Sequence, residues 1–315
     1  MTSRSIPALR RALLYIPASS SKMVAKSLTL ASDNLTYDLE DSVTPSMKVS
    51  AREALRDHLT ALPNKQHHAG EIAVRINAVS TPHAVDDLKA VASLPSVDTI
   101  VVPKVNSASD LLLVEDVIRQ IRGQDTRPLN LLALIESAKA VMDLRSICAA
   151  SSHLKGLIFA AEDFALDLSL ERTPGLSEFL YARSAIVTAA RAFELESTID
   201  LVCTSFRGSE GQQRLENECL NGRGLGFSGK QCIHPSQIPI VQRIFSPSRK
   251  EVEWAARVVV ADEKASAVGR GAWTLDGKMI DAPVVGKAHA TLGRAERCGC
   301  DVDAIKKEWK DENPE

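Results

Sequence analysis

Leu131-Leu132-Ala133-Leu134-Ile135-Glu136 is a run of five apolar residues that ends in an acid. The run has no helical period and reads as a strand buried on both faces, as in a parallel sheet. About 27 positions later, Gly156-Leu157-Ile158-Phe159-Ala160-Ala161-Glu162-Asp163 repeats the pattern, at the spacing of a βα unit. A buried strand that terminates in an acid delivers its carboxylate to one end of the sheet. Two such acids from neighbouring strands, Glu136 and Asp163, form an oxygen-rich pocket. Such a pocket suits Mg²⁺, an ion held through one or two carboxylates plus water and substrate.

The same alternation runs through most of the chain. Strands are expected at residues 13–17, 37–41, 72–77, 99–104, 131–136, 156–163, 198–204 and 230–235. Helical patterns follow at 23–30, 45–62, 84–92, 108–122, 138–148, 179–193 and 212–220, with 167–178 as a longer loop and the Gly-rich 222–229 as another. Eight strand–helix repeats predict an α/β chain folded as a (β/α)₈ TIM barrel over residues 10–240. Glu40, Asp41, Arg75, Asn77, Lys104, Glu136, Asp163 and His234 all fall at strand C-termini, the end where such barrels carry their active sites. A doubly wound open sheet is the alternative, but no GxGxxG follows the first strand.

Composition narrows the partners. The 315 residues are 44% hydrophobic and 25% charged, and 38 basic against 40 acidic residues give a net charge of −2. That leaves no basic excess for nucleic acid and no polybasic membrane patch. No apolar run reaches the roughly 18 residues of a spanning helix. None of the six cysteines forms a CxxC pair, so reduced, packed thiols in an intracellular protein are expected. Residues 1–11 hold Arg4, Arg10 and Arg11 and no acid, as a transit peptide does, but the first strand follows too soon for one. Mitochondrial and cytoplasmic placement both stay open.

Three features of the barrel segment bear on binding. Ser19, Ser20, Ser21 and Lys22 precede the helix expected at 23–30, with Lys22 and Lys26 one turn apart; the serines read as caps, and the same amides would suit a phosphate. Asp38, Glu40 and Asp41 put three carboxylates within four residues. Arg75 sits among apolar neighbours, where a guanidinium needs carboxylates or an anionic ligand. An ion pair with Glu40 or Asp41 and an anion clamp are both consistent with it. The histidines 67 and 68 lie in a polar loop and read as solvated.

Residues 241–315 exceed what a barrel needs. They read as helices at 238–245 and 249–267, a hairpin around Asp276-Gly277, a helix from 284 to 297 with Pro283 at its start, and a frayed charged tail after Cys300. An apolar extension of this kind needs a surface to cover, and a neighbouring subunit is a natural one.

These stretches together resemble the family of the citrate lyase beta subunit, malyl-CoA lyases and citramalyl-CoA lyase. The resemblance rests on Arg11–Pro17, Asp38-Leu39-Glu40-Asp41-Ser42-Val43, Val74-Arg75-Ile76-Asn77, Val102-Pro103-Lys104-Val105 and Leu134-Ile135-Glu136-Ser137. Glu162-Asp163-Phe164, Tyr181-Ala182-Arg183, Gly229-Lys230-Gln231-Cys232-Ile233-His234-Pro235 and Met279-Ile280-Asp281 continue it, and the C-terminal part is most like citramalyl-CoA lyase. The sequence departs from close relatives at Ala18–Ser21, where they often carry a Gly-Asn type turn.

The resemblance implies a homotrimeric (β/α)₈ barrel that uses Mg²⁺, with Mn²⁺ as a substitute, to cleave or form a C–C bond in a 3-hydroxyacyl-CoA thioester. The products of cleavage are acetyl-CoA and a 2-keto acid. It places metal ligation on Glu136 and Asp163, anion binding on Arg75, and the general acid/base on Asp281, reaching in from a neighbouring subunit. Glu40 and Asp41 would hold Arg75 or waters of the metal, and Lys22 and Lys26 would meet CoA phosphates. Two other readings stand beside it. One is a metal-dependent aldolase on free 2-keto-3-deoxy acids. The other is a citrate lyase beta-type subunit whose substrate sits on a carrier protein. Lys104 at a strand end would suit an aldolase of the Schiff-base class.

Overall fold

The computed structural model describes residues 8–62, 70–123 and 128–315. The chain divides into two compact units, Met1–Gln242 and Arg243–Glu315. In the first, strand and helix alternate as β1 (Ala12–Pro17), α1 (Ser21–Ser27), β2 (Asn34–Asp38), α2 (Lys48–Thr60), β3 (Glu71–Arg75), α3 (His83–Val91), β4 (Thr99–Val102) and α4 (Ala108–Arg122). The series continues with β5 (Asn130–Ile135), α5 (Ala138–Met142), α6 (Leu144–Ala149), β6 (Leu154–Phe159), α7 (Ala161–Leu168), α8 (Leu180–Ala192), β7 (Ser197–Asp200), α9 (Gly208–Leu225) and β8 (Gly229–Cys232). All eight strands pair in parallel with their sequence neighbours, and β8 returns to β1 with Leu13 opposite Gln231, closing the barrel. The first unit is therefore a (β/α)₈ TIM barrel. The two histidines at 67 and 68 lie outside the described residues.

Branched and aliphatic side chains from alternate positions fill the interior: Leu13, Ala73, Val101, Leu132, Leu134, Ile158 and Ile199 form one buried cluster, with Tyr15 and Ala160 packed against it. The N-terminal end is closed by charge. Glu71, which opens β3, accepts from Arg10 Nε and Nη2 at 2.7 Å each and from Asn34 Nδ2 at 2.7 Å, and it also bonds Thr99 Oγ1. Arg10 donates in addition to Ser197 Oγ at 3.2 Å. The starts of β2, β3, β4 and β7 are thus tied to one buried ion pair.

Several boundaries differ from the expected ones, each for a local reason. β2 stops at Asp38 because that side chain accepts the amides of Glu40 (2.9 Å) and Ser42 (3.1 Å), which turns the chain and leaves Glu40 and Asp41 in a loop. β6 stops at Phe159, so Glu162 and Asp163 lie in the first turn of α7 and not on the strand, where carboxylates suit the helix dipole. Leu168 is still helical, which shortens the expected 167–178 loop. The helix expected at 138–148 is two helices, α5 and α6, broken at Asp143.

The Gly-rich stretch begins as helix. α9 runs through Gly222 to Leu225. A Cβ on Gly222 would lie 2.2 Å from Asp200 Oδ2. That carboxylate holds the fully buried Arg183 through bonds of 3.0 and 2.7 Å. The glycine marks close approach of a helix to a buried ion pair, not a turn.

The second unit begins within α10 (Ile238–Phe245) and contains α11 (Arg249–Ala267), β9 (Trp273–Leu275), β10 (Lys278–Ile280), α12 (Ala282–Arg297) and α13 (Val302–Glu308). β9 and β10 form the expected hairpin, and Asp276 and Gly277 take φ of 51° and 70°, as a tight two-residue turn requires. The tail is not frayed: Val302 and Ile305, three residues apart among charges, are buried in the core with Val259, Leu275, Ile280 and Leu292. The Glu315 amide and carbonyl also pair with Thr274. Two apolar residues in a charged stretch were enough for one short helix.

Substituting Gly222→Ala should destabilise the protein by about 1–3 kcal/mol through overpacking at Asp200. Denaturant unfolding of the variant beside a surface Gly224→Ala control, where nothing lies within 4 Å of an added Cβ, measures it.

Candidate active site

Arg75 is the last residue of β3 and Asp38 the last of β2, and the strand register sets them opposite each other. The guanidinium grips Asp38 with two bonds of 2.7 Å, Nε to Oδ1 and Nη2 to Oδ2. Its Nη1 lies 3.1 Å from Glu40 Oε2 and 3.6 Å from Asp41 Oδ2. The Tyr15 ring stacks under the charge at 4.7 Å, a cation–π contact. The expected pairing with Glu40 and Asp41 is present, but the main partner is Asp38. Its position at the end of the strand beside that of Arg75 was the available signal for it.

Burial works against every charge in this group. It would pull Arg75 down, yet Asp38, Tyr15 and Glu40 push the guanidinium well above its ordinary value. Burial would raise Asp38, but Arg75 and the turn amides hold it below the usual carboxylate range. For Glu40, burial wins and the pKa rises, although Arg75 and Lys104 draw it back.

Lys104 follows β4 and links this group to the next carboxylate. Its Nζ donates to Glu40 Oε1 at 2.7 Å and to Asp41 Oδ1 at 3.4 Å. Its backbone amide donates to Glu136 Oε1 at 3.1 Å. Burial lowers the ammonium's pKa, but the contacts with Glu40 and Asp41 outweigh it and raise the value above the ordinary lysine range. Lys104 is therefore a cation at neutral pH, and a Schiff-base role, which needs the free amine, does not suit it.

Glu136, directly after β5, is 5% exposed. Its Oε2 is buried and accepts no hydrogen bond, an arrangement that is costly unless something else meets that oxygen. Burial above all, then the negative charges of Glu40 and Asp163, push its pKa up to about 7, against the opposing pull of the Lys104 amide and Arg75. Asp163 stands on the first turn of α7 and lines two cavities. One, of about 400 Å³, is bordered by Glu136, Lys104, Asn106 and Ser137. The other, of about 450 Å³, is bordered by Tyr15, Arg75, Asp41 and Gln231. Gln231 anchors the floor: Nε2 donates to the Phe159 and Asp200 carbonyls at 2.8 and 3.1 Å, so Oε1 accepts from the Tyr15 hydroxyl at 3.0 Å.

The donor set fits a hard divalent cation. Glu136 and Asp163 border one cavity, with Asp110 and Asp167 also on its wall, and Glu136 presents a buried oxygen without a hydrogen-bond partner. Among the described residues no group of three or more His, Cys, Asp or Glu side chains could hold a metal. A cation held by Glu136 and Asp163 would need water or substrate for the rest of its ligands, as Mg²⁺ commonly does.

Lys22 and Lys26 are exposed on α1, and Ser20 caps that helix by accepting from Met23 N at 3.4 Å. Asn77 is buried, donating to Asp87 and to the Leu39 carbonyl at 2.7 and 3.0 Å, and braces the loop after β2. His234 stacks on Phe206 at 4.6 Å and engages Ser236. Asp281 belongs to the second unit and caps α12, its Oδ1 accepting from Val284 N at 3.2 Å. All six cysteines are free, and no helix among the described residues is long and apolar enough to cross a membrane.

Residues 11–235 match the model of the HpcH/HpaI aldolase/citrate lyase family. The chain is 36% identical over 293 residues to the citrate lyase subunit beta of Escherichia coli, covering 92% of this chain and 94% of that protein. It is 33% identical over 296 residues to human mitochondrial citramalyl-CoA lyase, covering 90% and 84%. The crystal structure of protein CitE from Mycobacterium tuberculosis in complex with magnesium, acetoacetate and coenzyme A superposes with a TM-score of 0.73 at 31% identity, covering 92% of this chain and all of that one. The barrel, the acids at its C-terminal face and these likenesses agree: the chain belongs to the HpcH/HpaI aldolase/citrate lyase family.

Proposed function

We propose that this chain, a carbon–carbon lyase by its family, uses Mg²⁺ to cleave a 3-hydroxyacyl-CoA, citramalyl-CoA or malyl-CoA, to acetyl-CoA and a 2-keto acid. The reverse condensation uses the same site. The observation that carries this reading is the buried, unpartnered Oε2 of Glu136 beside Asp163, within one charged cluster with Arg75. A relative of known structure that holds magnesium and coenzyme A together supports it.

Glu136 and Asp163 would hold the metal. Bound there, Mg²⁺ supplies Lewis-acid polarisation of a substrate oxygen and orients the hydroxy acid. Arg75, fixed by Asp38 and by the Tyr15 ring, offers a permanent positive charge to the carboxylate or developing oxyanion of the keto-acid half. Glu40 and Asp41 hold Arg75 and can accept from water around the cation. C–C cleavage passes the substrate hydroxyl proton, directly or through water, to the Glu40–Asp41 carboxylates, turns that hydroxyl into the keto-acid carbonyl, and leaves the bond's electron pair on the acetyl-CoA carbon. Asp281 gives that carbon its proton, and takes one in condensation. In this reading Asp281 comes from the C-terminal unit of a neighbouring protomer in a homotrimer, and Lys22 and Lys26 meet CoA phosphates.

A second reading has its own support. Identity to a citrate lyase beta subunit is 36%, against 33% to a citramalyl-CoA lyase, so a carrier-bound citryl substrate suits the same residues. Assays of the purified protein with Mg²⁺ on citramalyl-CoA, malyl-CoA and a citryl-carrier thioester separate the two.

Asp163→Asn should abolish Mg²⁺-stimulated cleavage while leaving circular dichroism unchanged; full turnover in that variant would remove the metal assignment. Asp281→Asn should leave Mg²⁺ binding intact and lower kcat by roughly 10²–10⁴-fold, read by a coupled assay for the keto acid.

Metal-free protein should also show the strain at Glu136. Its folded pKa of about 7 lies above the roughly 4.3 of a free glutamate. Stability tied to this group is therefore fully present below about pH 4 and is lost as pH rises through about 7, up to about 4 kcal/mol. Glu136→Gln escapes that loss, so its melting temperature should gain on the wild type from pH 5 to pH 8. A constant difference across that range would contradict the assignment.

A further inference from the structure

Lys104 occupies a conformation that its side chain resists. Its φ is +51°, in the left-handed region where Cβ crowds the following carbonyl. A glycine would take this backbone freely. The chain keeps a side chain there, and both halves of the residue are engaged: the amide with Glu136 Oε1 at 3.1 Å, the ammonium with Glu40 Oε1 at 2.7 Å. Relaxing φ to negative values would turn the 103–104 peptide, and its N–H, away from Glu136, or swing the chain that leads into α4.

The amide occupies Oε1 and leaves Oε2 as the free oxygen of Glu136. The ammonium shares Glu40 with Arg75, whose Nη1 is 3.1 Å from the other oxygen of that carboxylate. Without the ammonium, a full negative charge would face Arg75 and weaken its hold on an incoming carboxylate.

We propose that Lys104 is a positioning residue with two separable roles: its backbone amide aims Glu136 at the cation, and its ammonium frees Arg75 for the keto-acid carboxylate. This deepens the function proposed above and rests on Glu136 and Asp163 as the cation site.

The test is calorimetric titration of full-length protein with Mg²⁺, then of the Mg²⁺-saturated protein with pyruvate. Lys104→Gly keeps the left-handed backbone and its N–H and loses only the ammonium. Its Mg²⁺ affinity should equal or exceed the wild type, while pyruvate affinity falls about tenfold. Lys104→Val, whose β-branched side chain rejects positive φ, should lose about tenfold or more in Mg²⁺ affinity as well. Lys104→Arg should restore pyruvate affinity toward the wild type.

Equal Mg²⁺ affinities in folded Gly and Val variants overturn the backbone role. Wild-type pyruvate affinity in the Gly variant overturns the role of the ammonium. Should the Val variant fail to fold, the Gly variant decides the backbone role alone, since a tenfold loss of Mg²⁺ with the N–H intact contradicts it. A wild-type protein that takes up no Mg²⁺ overturns this inference and the metal assignment together.

Discussion

Too much negative charge in too little water is the constraint on which the C-terminal face of this barrel depends. Asp38, Glu40, Asp41, Glu136 and Asp163 gather there, and the cations that ion-pair with them are Arg75 and Lys104. Buried carboxylates either find cations, find donors or take up protons. Asp38 follows the first course, with two bonds from Arg75 and two from turn amides. Glu136 has one amide for two oxygens and shifts toward the protonated form. A divalent cation would offer the charge that the chain itself does not, so in the proposed function the same deficit that strains the isolated protein would favour the ion.

The two ends of the barrel make the point by contrast. At the N-terminal end Glu71 is as buried as Glu136, yet Arg10, Asn34 and Thr99 meet both its oxygens, and these bonds hold its pKa below the usual range against burial. One end is complete; at the other, Oε2 of both Glu40 and Glu136 is buried without a hydrogen-bond partner, and of the two only Glu40 Oε2 has Arg75 beside it. A buried acid marks a site here only where its hydrogen-bond inventory fails to close.

Periodicity made most of the fold legible. Each strand is a short run of mostly buried residues between helical patterns, so all eight could be read even where polar residues such as Asn34, Glu71 and Gln231 open or interrupt them, and the Asp276-Gly277 hairpin announced itself through residues that tolerate positive φ. Strand ends were less legible, because they are fixed by side-chain bonds such as that of Asp38 to the amides after it. Gly222 was misread as loop because close packing and turns both select glycine. At the site, Glu136, Arg75, Glu40 and Asp41 were marked by their positions after apolar runs. Asp38 was marked only as one of three clustered acids, and Tyr15 and Gln231 not at all, since their parts depend on register between strands and on bonds between residues up to 216 positions apart.

The closure between β1 and β8 has a consequence for how this molecule is born. Gly229 opens β8 at a point where an added Cβ would lie 2.0 Å from the Arg10 carbonyl, so the last staple of the barrel sits against its first residues. During translation the amino-terminal strand emerges early, finds β2 within some twenty residues, and then keeps one bare edge. That edge stays open until β8, which begins at Gly229, has been made. Until β8 is made the barrel cannot seal, and an unpaired strand edge of that kind is a template for pairing with another chain.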